Sequence, residues 1–453
     1  MVAPRARVLV FDGPSQVLAP LTLWLLDQGF AVHRSDQAGQ ALAAVSGRSA
    51  FELLVVDALI PDGIELARAA RSGTASRHMA IVLVTGDDQP ATAATQALAV
   101  GADDVLTPSQ DEAELLARLT ALSRLAIMET EWCRREAVLR RFGVEPEEQP
   151  AARAAPATAA ERLRILLVGE ASGEQVQVTA AFGNGVTAAY ADGVGTALEI
   201  LAGQSLDAVV LTSTPGPADT ERLCRWLRAH PRLFDLPALL IARPDAVADR
   251  GLPYRWGVSD VLYQPLHPAM CRLRVQSWVR RQRLRRRLRG ETIERRPLTQ
   301  DRLTGLYSHG FLHEYLDDLL HGVGPGDPPA ALAVFNVAGM ARLNEARGYV
   351  AGDRALAAVA ATLARSARAS DLVARLGGDE FAVVLNGSDA AGAIVASERL
   401  VAAVAAATSD QGGHPGLGLH VGITEIAPRQ HTAASLVREA RARSRRAQVR
   451  CAS

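Results

Sequence analysis

The stretch that decides the fold of the C-terminal third reads Arg375-Leu376-Gly377-Gly378-Asp379-Glu380-Phe381. Apolar runs of strand length lie on both sides of it, from Leu372 to Leu376 and from Phe381 to Leu385. A Gly-Gly pair between two such runs predicts a tight β-hairpin, because glycine reaches the positive φ angles that these turns require. We therefore expect Asp379 and Glu380 to follow the turn directly, at the start of the second strand.

The segments around the hairpin mix helical and strand patterns, which is typical of an α+β domain. This domain is expected to start near Asp301. Its predicted elements are a strand at Ala330–Phe335, helices at Asp353–Arg368 and Ala390–Ala406, a strand at Leu419–Thr424 and an arginine-rich helix at Ala433–Arg446.

Two upstream segments show a different pattern, in which short apolar runs alternate with helix-length segments. In the first segment each run ends at a polar residue, with Val8–Phe11 followed by Asp12, Leu53–Val56 by Asp57 and Ile81–Val84 by Thr85. Such alternation predicts a parallel sheet covered by helices. Because functional side chains of these sheets lie just past the carboxyl ends of the strands, Asp12, Asp57 and Thr85 are candidates for one site.

The same pattern returns in the second segment, which indicates an internal duplication. Its apolar runs are Ile165–Val168, Ala208–Leu211, Leu239–Ile241 and Val261–Tyr263. Residues 145–160, rich in Pro, Ala and Glu, predict a linker between the two segments. A long helix is predicted from Pro268 to Arg289, and its basic end, from Arg280 onward, is expected to form a solvated stalk between domains.

The composition is unusual in one respect. The chain has 453 residues with 49 basic and 49 acidic side chains, and all the basic ones are arginine, although roughly two dozen lysines would be ordinary. The lack of lysine excludes P-loop phosphate binding, protein-kinase catalysis and Schiff-base catalysis. Four scattered cysteines and the absence of an apolar run of about 18 residues predict a soluble protein of a reducing cytoplasm.

Together with Asp301-Arg302-Leu303-Thr304-Gly305-Leu306-Tyr307, the hairpin motif resembles the GGDEF domain of diguanylate cyclases. The two upstream segments resemble response-regulator receiver domains, so the chain resembles response regulators built as receiver–receiver–GGDEF. Its departures from the motifs make it most similar to non-catalytic members that bind cyclic di-GMP as effectors. The resemblance implies two flavodoxin-like α/β receivers followed by an α+β, nucleotidyl-cyclase-like GGDEF domain. The expected boundaries are 1–144 for a receiver with a long C-terminal helix, 145–160 for a linker, 161–290 for a degenerate receiver and 291–453 for the GGDEF domain.

The resemblance implies a phosphorylation site in the first receiver. Asp57 takes the phosphoacceptor position, Asp12 belongs to the acidic pair that would bind Mg²⁺ with Asp57, and Thr85 is the residue that follows the phosphoryl group. Pro108 stands where the family has a lysine, which leaves two interpretations, a weakened phosphorylation site or a receiver fold kept as a docking scaffold. In the second receiver no phosphoryl chemistry is expected, because the matching positions hold Gly169, Glu170, Thr212, Ala242 and Gln264.

The same resemblance implies a cyclase centre that has lost part of its metal site. Asp379 takes a Mg²⁺-ligand position with Glu380 beside it, whereas the ligand position on the first strand holds the neutral Asn336. Because Mg²⁺ prefers carboxylate oxygens, weak metal binding is expected. Residues that would still hold a nucleotide are Asn336, Asn344 and Asp353, of which the last two would read guanine, and the turn residues Gly377 and Gly378.

The missing lysines also bear on whether the cyclase centre is active. Coding bias alone would replace lysine by arginine and keep the positive charge. At the positions where the family uses lysine, however, the chain has Pro108, Gln264, Ala341 and Gln448. The positive charges that would meet phosphate groups are therefore lost, which favours a receptor over a catalyst.

A second constellation matches the RxxD inhibitory site of the family. Arg368 and Asp371 lie just before the hairpin, and Arg399 on the following helix matches a further contributor. An arginine fork donates to guanine O6 and N7, and a carboxylate accepts from the N1 and N2 hydrogens of the base. The spacing places Arg368 and Asp371 in one helix-to-strand turn and predicts a cyclic di-GMP site. The alternative is an exposed Arg–Asp ion pair of little consequence.

Three functions remain open from the sequence. The first is a cyclic di-GMP effector whose receivers recruit protein partners, in cell-cycle-linked proteolysis and polar localisation as the resemblance implies. The second is an active cyclase that joins two GTP molecules and is inhibited by its product at the RxxD site. The third is a scaffold or nucleic-acid binder, disfavoured because the arginine runs lack interleaved stacking aromatics. A cytoplasmic homodimer without a membrane span is expected.

Overall fold

The computed structural model describes residues 6–451 except 14–16, 47–50, 74–75, 77, 108–109, 145–161, 171–172, 213–215, 231–232, 235, 248, 289–297, 323–327, 410–416 and 428–430. The side chains of 184 and 446–451 are also outside the description. The chain divides into two compact units. One, the N-terminal unit, is drawn from 4–129 and 149–285, and the other, the C-terminal unit, from 1–3, 130–148 and 286–453.

The first α/β domain is built on a parallel five-stranded sheet in the order β2-β1-β3-β4-β5. Its elements are β1 (Arg7–Phe11), α1 (Ala19–Asp27), β2 (Ala31–Ser35), α2 (Ala38–Ser46), β3 (Leu53–Asp57), α3 (Pro61–Ser72), β4 (Ala80–Val84), α4 (Pro90–Val100), β5 (Asp104–Leu106) and α5 (Glu112–Arg141). The central strands β3 and β4 are buried along their whole length, because helices cover both faces of the sheet. The predicted alternation and the flavodoxin-like strand order are confirmed.

The second α/β domain repeats this topology, with the strand order β10-β9-β8-β6-β7. Its elements are β6 (Leu163–Val168), α6 (Gly173–Phe182), β7 (Val186–Ala191), α7 (Val194–Gly203), β8 (Ala208–Leu211), α8 (Pro217–Ala229), β9 (Ala238–Ala242), α9 (Leu252–Trp256), β10 (Asp260–Tyr263) and α10 (Pro268–Leu288). All neighbouring strands pair in parallel. The duplication predicted from the apolar runs is therefore present in the fold.

A matched pair of buried ion pairs reinforces the duplication. In the first domain Arg118 Nη2 donates to Asp104 Oδ1 at 2.6 Å, and in the second Arg274 Nη1 donates to Asp260 Oδ1 at 2.8 Å. Each arginine follows its aspartate by 14 positions. Arg274 Nε also lies 3.3 Å from Asp104 Oδ1, so the two pairs are joined across the domains within the N-terminal unit.

The basic end of α10 corrects one prediction. A solvated stalk was expected from Arg280 onward, but none of its described residues up to Leu288 is exposed. Arg280 is ion-paired with Asp103 and with Glu129, whose Oε1 lies 3.4 Å from Arg280 Nε. Arg283 Nη2 lies 3.3 Å from Asp207 Oδ2. Acidic partners on the packed α/β domains thus draw these arginines inward instead of leaving them in solvent.

The C-terminal domain contains a four-stranded antiparallel sheet in the order β12-β13-β11-β14. Its elements are α11 (His309–Gly322), β11 (Ala330–Ala338), α12 (Met340–Arg347), α13 (Tyr349–Ser366), β12 (Leu372–Gly377), β13 (Glu380–Asn386), α14 (Ala390–Ser409), β14 (Gly418–Glu425) and α15 (Ala433–Cys451). The predicted hairpin is formed by β12 and β13. The central strand β11 pairs on both sides and supplies core residues to both faces of the sheet.

The end of α5 belongs to the C-terminal unit. Val138, Leu139 and Val144 share a buried apolar cluster with Phe311 and Tyr315 of α11. This unit therefore takes in residues 130–148, before the domain start predicted at 291. The sequence-based boundaries stay predictions, and the linker predicted at 145–160 lies outside the described residues.

One described helix segment, Ala390–Thr408 in α14, is long and apolar enough to cross a membrane by length and composition alone. Ala393, Ala396, Leu400 and Val404 of this helix pack in the core of the C-terminal domain. These four side chains therefore face the domain core, whereas Ile394 and Val395 of the same helix are exposed.

Candidate functional site

The predicted phosphoacceptor lies at the carboxyl edge of the first sheet, as the sequence indicated. Asp57 ends β3 and is only 3% exposed, and its Oδ1 accepts a hydrogen bond from the Leu59 N–H at 2.8 Å. Burial raises the pKa of Asp57, and the nearby Asp12 adds to the rise. Asp12, which directly follows β1, is fully buried. The structure thus brings the two predicted carboxylates close enough to interact.

An arginine that the sequence analysis missed is paired with one of these two carboxylates. Arg34 Nη2 donates to Asp12 Oδ2 at 2.9 Å, and Arg34 Nε lies 3.2 Å from the same oxygen. The register of β1 and β2, in which Val10 pairs with Arg34, brings this side chain to the same sheet edge. A guanidinium engages the Asp12 oxygens that Mg²⁺ would need, so the residues present do not fit a Mg²⁺ site built on Asp12 and Asp57.

The other positions that the receiver resemblance singled out differ in their surroundings. Thr85 Oγ1 is buried and has no hydrogen-bond partner among the described residues. Pro108 lies outside the described residues. In the second domain Thr212 Oγ1 donates to the Val168 carbonyl at 3.1 Å, and Gln264 Nε2 donates to Glu174. Phosphorylation of Asp57 stays a prediction.

The hairpin motif and the upstream motif meet in the C-terminal domain. Gly377 and Gly378 adopt φ angles of 133° and 55°, which only glycine takes readily, so both are required by the turn. Arg375 Nη2 donates to the Gly378 carbonyl at 2.7 Å, and Arg375 Nη1 donates to Asp301 Oδ1 at 3.0 Å. Burial opposes the charge of Asp301, but hydrogen bonds from Thr304 and Arg375 outweigh it and lower the pKa. The turn is therefore braced by the upstream motif.

The Glu380 carboxylate beside the turn is paired with arginines. Glu380 Oε2 lies 2.8 Å from Arg441 Nε of α15, and Glu380 Oε1 lies 3.9 Å from Arg445 Nη2. Asn336 of β11 pairs with Glu380 in the sheet register, and Asp379 accepts through its carbonyl from the Val337 N–H at 3.0 Å. The Glu380 carboxylate is therefore paired with two arginines, and the residue opposite it on β11, Asn336, carries a neutral amide. Because Mg²⁺ favours carboxylate oxygens, Glu380 and Asn336 in these arrangements are poor ligands for it.

Arg441 was also missed in the sequence analysis, although its position one helical turn before Arg445 could have indicated it.

The predicted guanine-reading residues lie on neighbouring helices. Asn344 Oδ1 is buried without a hydrogen-bond partner in the described part of the chain, and a side chain at Gly352 would collide with it. Asp353 is exposed. Gln448 lies on α15, and its side chain is outside the description.

The RxxD turn, residues 368–371, links α13 to β12 as predicted. The Asp371 N–H donates to the Arg368 carbonyl at 3.0 Å, and the Arg368 N–H donates to Asp371 Oδ2 at 2.9 Å. The Arg368 side chain is exposed. Arg399 of α14 is also exposed, and its Nη2 donates to the Ser366 carbonyl at 3.3 Å. Two arginines thus lie at the surface around one ordered turn.

Asp371 differs from the exposed ion-pair partner that was the alternative interpretation. It is 5% exposed, and its Oδ1 has no hydrogen-bond partner among the residues described. Burial raises the pKa of Asp371 to about 6, against the lowering effect of the Arg368 N–H and charge. A buried carboxylate oxygen without a donor is costly, and a ligand that donates hydrogen bonds would relieve this cost.

Two family models match the chain in separate regions. Residues 8–120 match the response regulator receiver domain, and residues 298–450 match the GGDEF domain of diguanylate cyclases. The chain therefore has a receiver plus GGDEF architecture, and its fold is that of a multidomain α/β protein with a GGDEF domain. These matches support a role in cyclic di-GMP signalling.

The chain is also similar to individual known proteins. The chain is 29% identical over 406 residues to the response regulator PleD of Caulobacter vibrioides, covering 87% of this chain and 86% of that protein. Among solved structures, the GGDEF domain of DgcB from Caulobacter crescentus in complex with c-di-GMP is 23% identical, with a TM-score of 0.32 and coverage of 34% of this chain and 92% of that one. The diguanylate cyclase SiaD of Pseudomonas aeruginosa, in complex with its activator SiaC, is 27% identical with a TM-score of 0.32. That match covers 37% of this chain and 64% of SiaD, less than two thirds of its length.

Proposed function

We propose that this receiver–GGDEF protein is a cyclic di-GMP effector, which binds the dinucleotide at the RxxD turn and has a degenerate, non-catalytic cyclase centre. The chain would transmit the signal by recruiting protein partners through its receiver domains. This proposal assigns ligand binding to Arg368, Asp371 and Arg399.

One contrast carries the proposal. The Glu380 carboxylate beside the hairpin turn is ion-paired with Arg441, whereas the Asp371 carboxylate of the RxxD turn has a buried oxygen without a donor. The first group is already paired within the chain, and the second still lacks a hydrogen-bond donor among the described residues. Nucleotide chemistry at the hairpin would need carboxylates to hold a cation, and the Glu380 carboxylate is already engaged by Arg441.

The chemistry of the RxxD turn suits guanine. Asp371 Oδ1 would accept from the N1 and N2 hydrogens of the base, and the exposed Arg368 fork would donate to its O6 and N7. Arg399 adds a second positive charge for a phosphate group of the same ligand. A ligand with two guanines and two phosphates offers all of these groups together.

The test is calorimetric titration of the full chain with cyclic di-GMP, in parallel with Arg368→Ala. Binding by the parent and a loss of about tenfold or more in the variant are expected, since the fork makes charged hydrogen bonds to the ligand. Arg365→Ala is the matched control, because this exposed arginine lies one turn earlier on α13 and, among the described residues, donates to Thr362. Equal affinity in Arg368→Ala and parent, or no binding by the parent, would refute the proposal.

An active diguanylate cyclase is the second candidate. Asn344 favours it, because a buried amide oxygen without a partner is what a guanine-reading residue would present. Incubation of the full chain with GTP and Mg²⁺ or Mn²⁺ separates the two functions. We expect no cyclic di-GMP to form, and clear production would reverse the order of the two candidates.

The remaining features of the proposal concern the setting of the protein. We propose that it acts as a homodimer in the cytoplasm at a cell pole, in cell-cycle-linked proteolysis, and that it binds neither nucleic acid nor Mg²⁺ tightly. Light scattering of the purified chain with and without cyclic di-GMP tests the dimer. A monomer under both conditions would remove that part of the proposal.

A further inference from the structure

The largest fully buried side chain of the described residues is that of Arg135, which is 1% exposed. It lies near the end of α5, and every hydrogen bond it makes is inside the C-terminal unit. Its Nε donates to Glu131 Oε1 at 2.6 Å, and its Nη1 donates to the Leu288 carbonyl at 2.6 Å. Burial opposes its charge, but Glu131 and the neighbouring tyrosines raise the pKa above its ordinary value. Arg135 is therefore a charged group at the centre of a packed core.

The second terminal nitrogen of Arg135 reaches the RxxD turn. Nη2 donates to the Asp371 carbonyl at 2.9 Å and lies 3.5 Å from the Ala369 carbonyl. The carbonyl between them, that of Ser370, accepts from Asn386 Nδ2 at 2.7 Å. Three consecutive carbonyls of the turn are thus bound from the inner side by two side chains.

The two donors belong to one buried network. Glu131 Oε2 accepts from the Tyr315 hydroxyl at 2.7 Å and lies 3.2 Å from Asn386 Nδ2. Asn386 Nδ2 also lies 2.9 Å from the Tyr315 oxygen. The network joins α5, α11 and β13 behind the turn, so its members hold one another in fixed orientations.

We propose that Arg135 is a positioning residue for cyclic di-GMP binding, which holds the RxxD turn in its ligand-binding conformation from the side opposite the ligand. The inference rests on the proposed function. Buried carbonyl groups need donors, and without Arg135 the carbonyls of Ala369 and Asp371 would have to turn toward water. That rotation would change the position of the Asp371 carboxylate relative to the Arg368 side chain, so the two could no longer contact one guanine together.

A purely structural role for Arg135 is the competing explanation, because removing it would leave the buried Glu131 charge with Arg134, whose Nη1 lies 3.5 Å from Glu131 Oε2, as its remaining ion partner among the described residues. The double variant Glu131→Gln/Arg135→Met separates the two roles. Glutamine keeps an acceptor for Tyr315 while removing the weakly compensated charge, so folding stability should recover toward that of the parent. The turn carbonyls still lack their donor, so ligand binding should not recover.

The experiment is calorimetric titration of the full chain with cyclic di-GMP at a temperature where circular dichroism shows each variant to be folded. The double variant is expected to bind about tenfold more weakly than the parent or worse. Arg135→Gln, which keeps one amide donor, should lie between them. Arg140→Met is the matched control, since Arg140 is half exposed on the same helix and pairs only with Glu136 in the described structure. Hydrogen exchange should be faster at the Arg368 and Asp371 amides of the double variant, with the β11 and β13 amides still protected.

The outcomes are distinct. Weaker binding and faster exchange confined to the turn support the inference. A double variant that binds within about twofold of the parent overturns it and leaves the proposed function intact. A parent protein that does not bind cyclic di-GMP overturns the proposed function, and the inference with it.

Discussion

Protonation of Asp371 and binding of the ligand are expected to compete for the same carboxylate. Its pKa is raised to about 6 by burial, with the charges of Glu131, Arg135 and Arg368 acting on it from α5 and from the turn itself. Only the ionised carboxylate can accept from guanine N1 and N2 at Oδ1, while Oδ2 accepts from the Arg368 N–H, without presenting a competing proton. Binding should therefore depend on pH in a range where most carboxylates are fully ionised.

We predict that cyclic di-GMP affinity falls as the pH is lowered from about 7.5 to about 5, with a midpoint near the pKa of about 6. The reason is that the ligand must compete with protonation of Asp371. Calorimetric titration of the full chain across this range measures the effect. Asp371→Asn, which cannot titrate, should bind more weakly at neutral pH and show a flat profile. A parent profile as flat as that of Asp371→Asn would contradict the assignment.

The same shift has a consequence for folding of the free protein. Because the folded pKa of Asp371 lies above the unfolded value of 3.8, the folded state binds the proton more tightly. The contribution of this group to stability is therefore greatest below pH 3.8 and is lost as the pH rises to about 6. Denaturant unfolding of the parent, compared with Asp371→Asn over that window, should show this slope in the parent alone.

Glu380 gives a third prediction at the residue scale. Glu380→Gln should leave cyclic di-GMP affinity within about twofold of the parent, because Glu380 is paired with Arg441 and takes no part in the RxxD turn. The stability change should be within about 1 kcal/mol, as for a partly exposed ion pair. Titration and denaturant unfolding measure both quantities. GTP turnover by the parent that disappears in Glu380→Gln would instead establish a working cyclase.

At the scale of elements, the position of α15 depends on one glycine. A Cβ atom at Gly422 of β14 would collide with the backbone of α15 at Ala440 and Ser444. The helix lies directly on the strand at this point, and α15 carries the Arg441 that pairs with Glu380. The close approach is what brings the arginine to the hairpin.

We predict that Gly422→Ala destabilises the protein by about 1–3 kcal/mol, because strand and helix must separate to admit the methyl group. Denaturant unfolding followed by circular dichroism measures the loss. Gly418→Ala on the same strand is the control, because its Cβ would meet only Ala338 at an ordinary 3.6 Å. Equal stability of the two variants would show that α15 is not held against β14 in this way.

The elements themselves were largely predictable from the sequence, and the long-range contacts were not. The hairpin of β12 and β13 and the carboxyl-edge positions of Asp12 and Asp57 follow from local patterns, since turn chemistry and strand ends are local properties. The contact of Arg135 with the Asp371 carbonyl joins residues 236 positions apart. The backbone partner of an arginine cannot be identified from the sequence, because every residue has a carbonyl that can accept a hydrogen bond. Arg34 and Arg441 were missed for the related reason that their partners are set by tertiary packing.

At the scale of the whole molecule, the N-terminal unit is a duplicated fold with a shared charged centre. Arg274 of the second α/β domain binds Asp260 of its own domain and also contacts Asp104 of the first. Burial would raise the pKa of Asp104, but the charges of Arg118 and Arg274 outweigh it and lower the pKa. Both domains thus rely on the same buried guanidinium.

We predict that Arg274→Met destabilises both α/β domains together, by about 3–5 kcal/mol, because it leaves the buried Asp260 without its ion partner and weakens the field that holds Asp104 ionised. Hydrogen exchange resolved by segment measures the effect, with β3 and β8 as reporters for the two domains. Arg222→Met, which removes only an exposed pair with Asp219, should change neither. Loss of protection in β8 with β3 unchanged would show that the two domains are stabilised separately. Loss in both would show that the second domain supports the fold in which Asp57 lies.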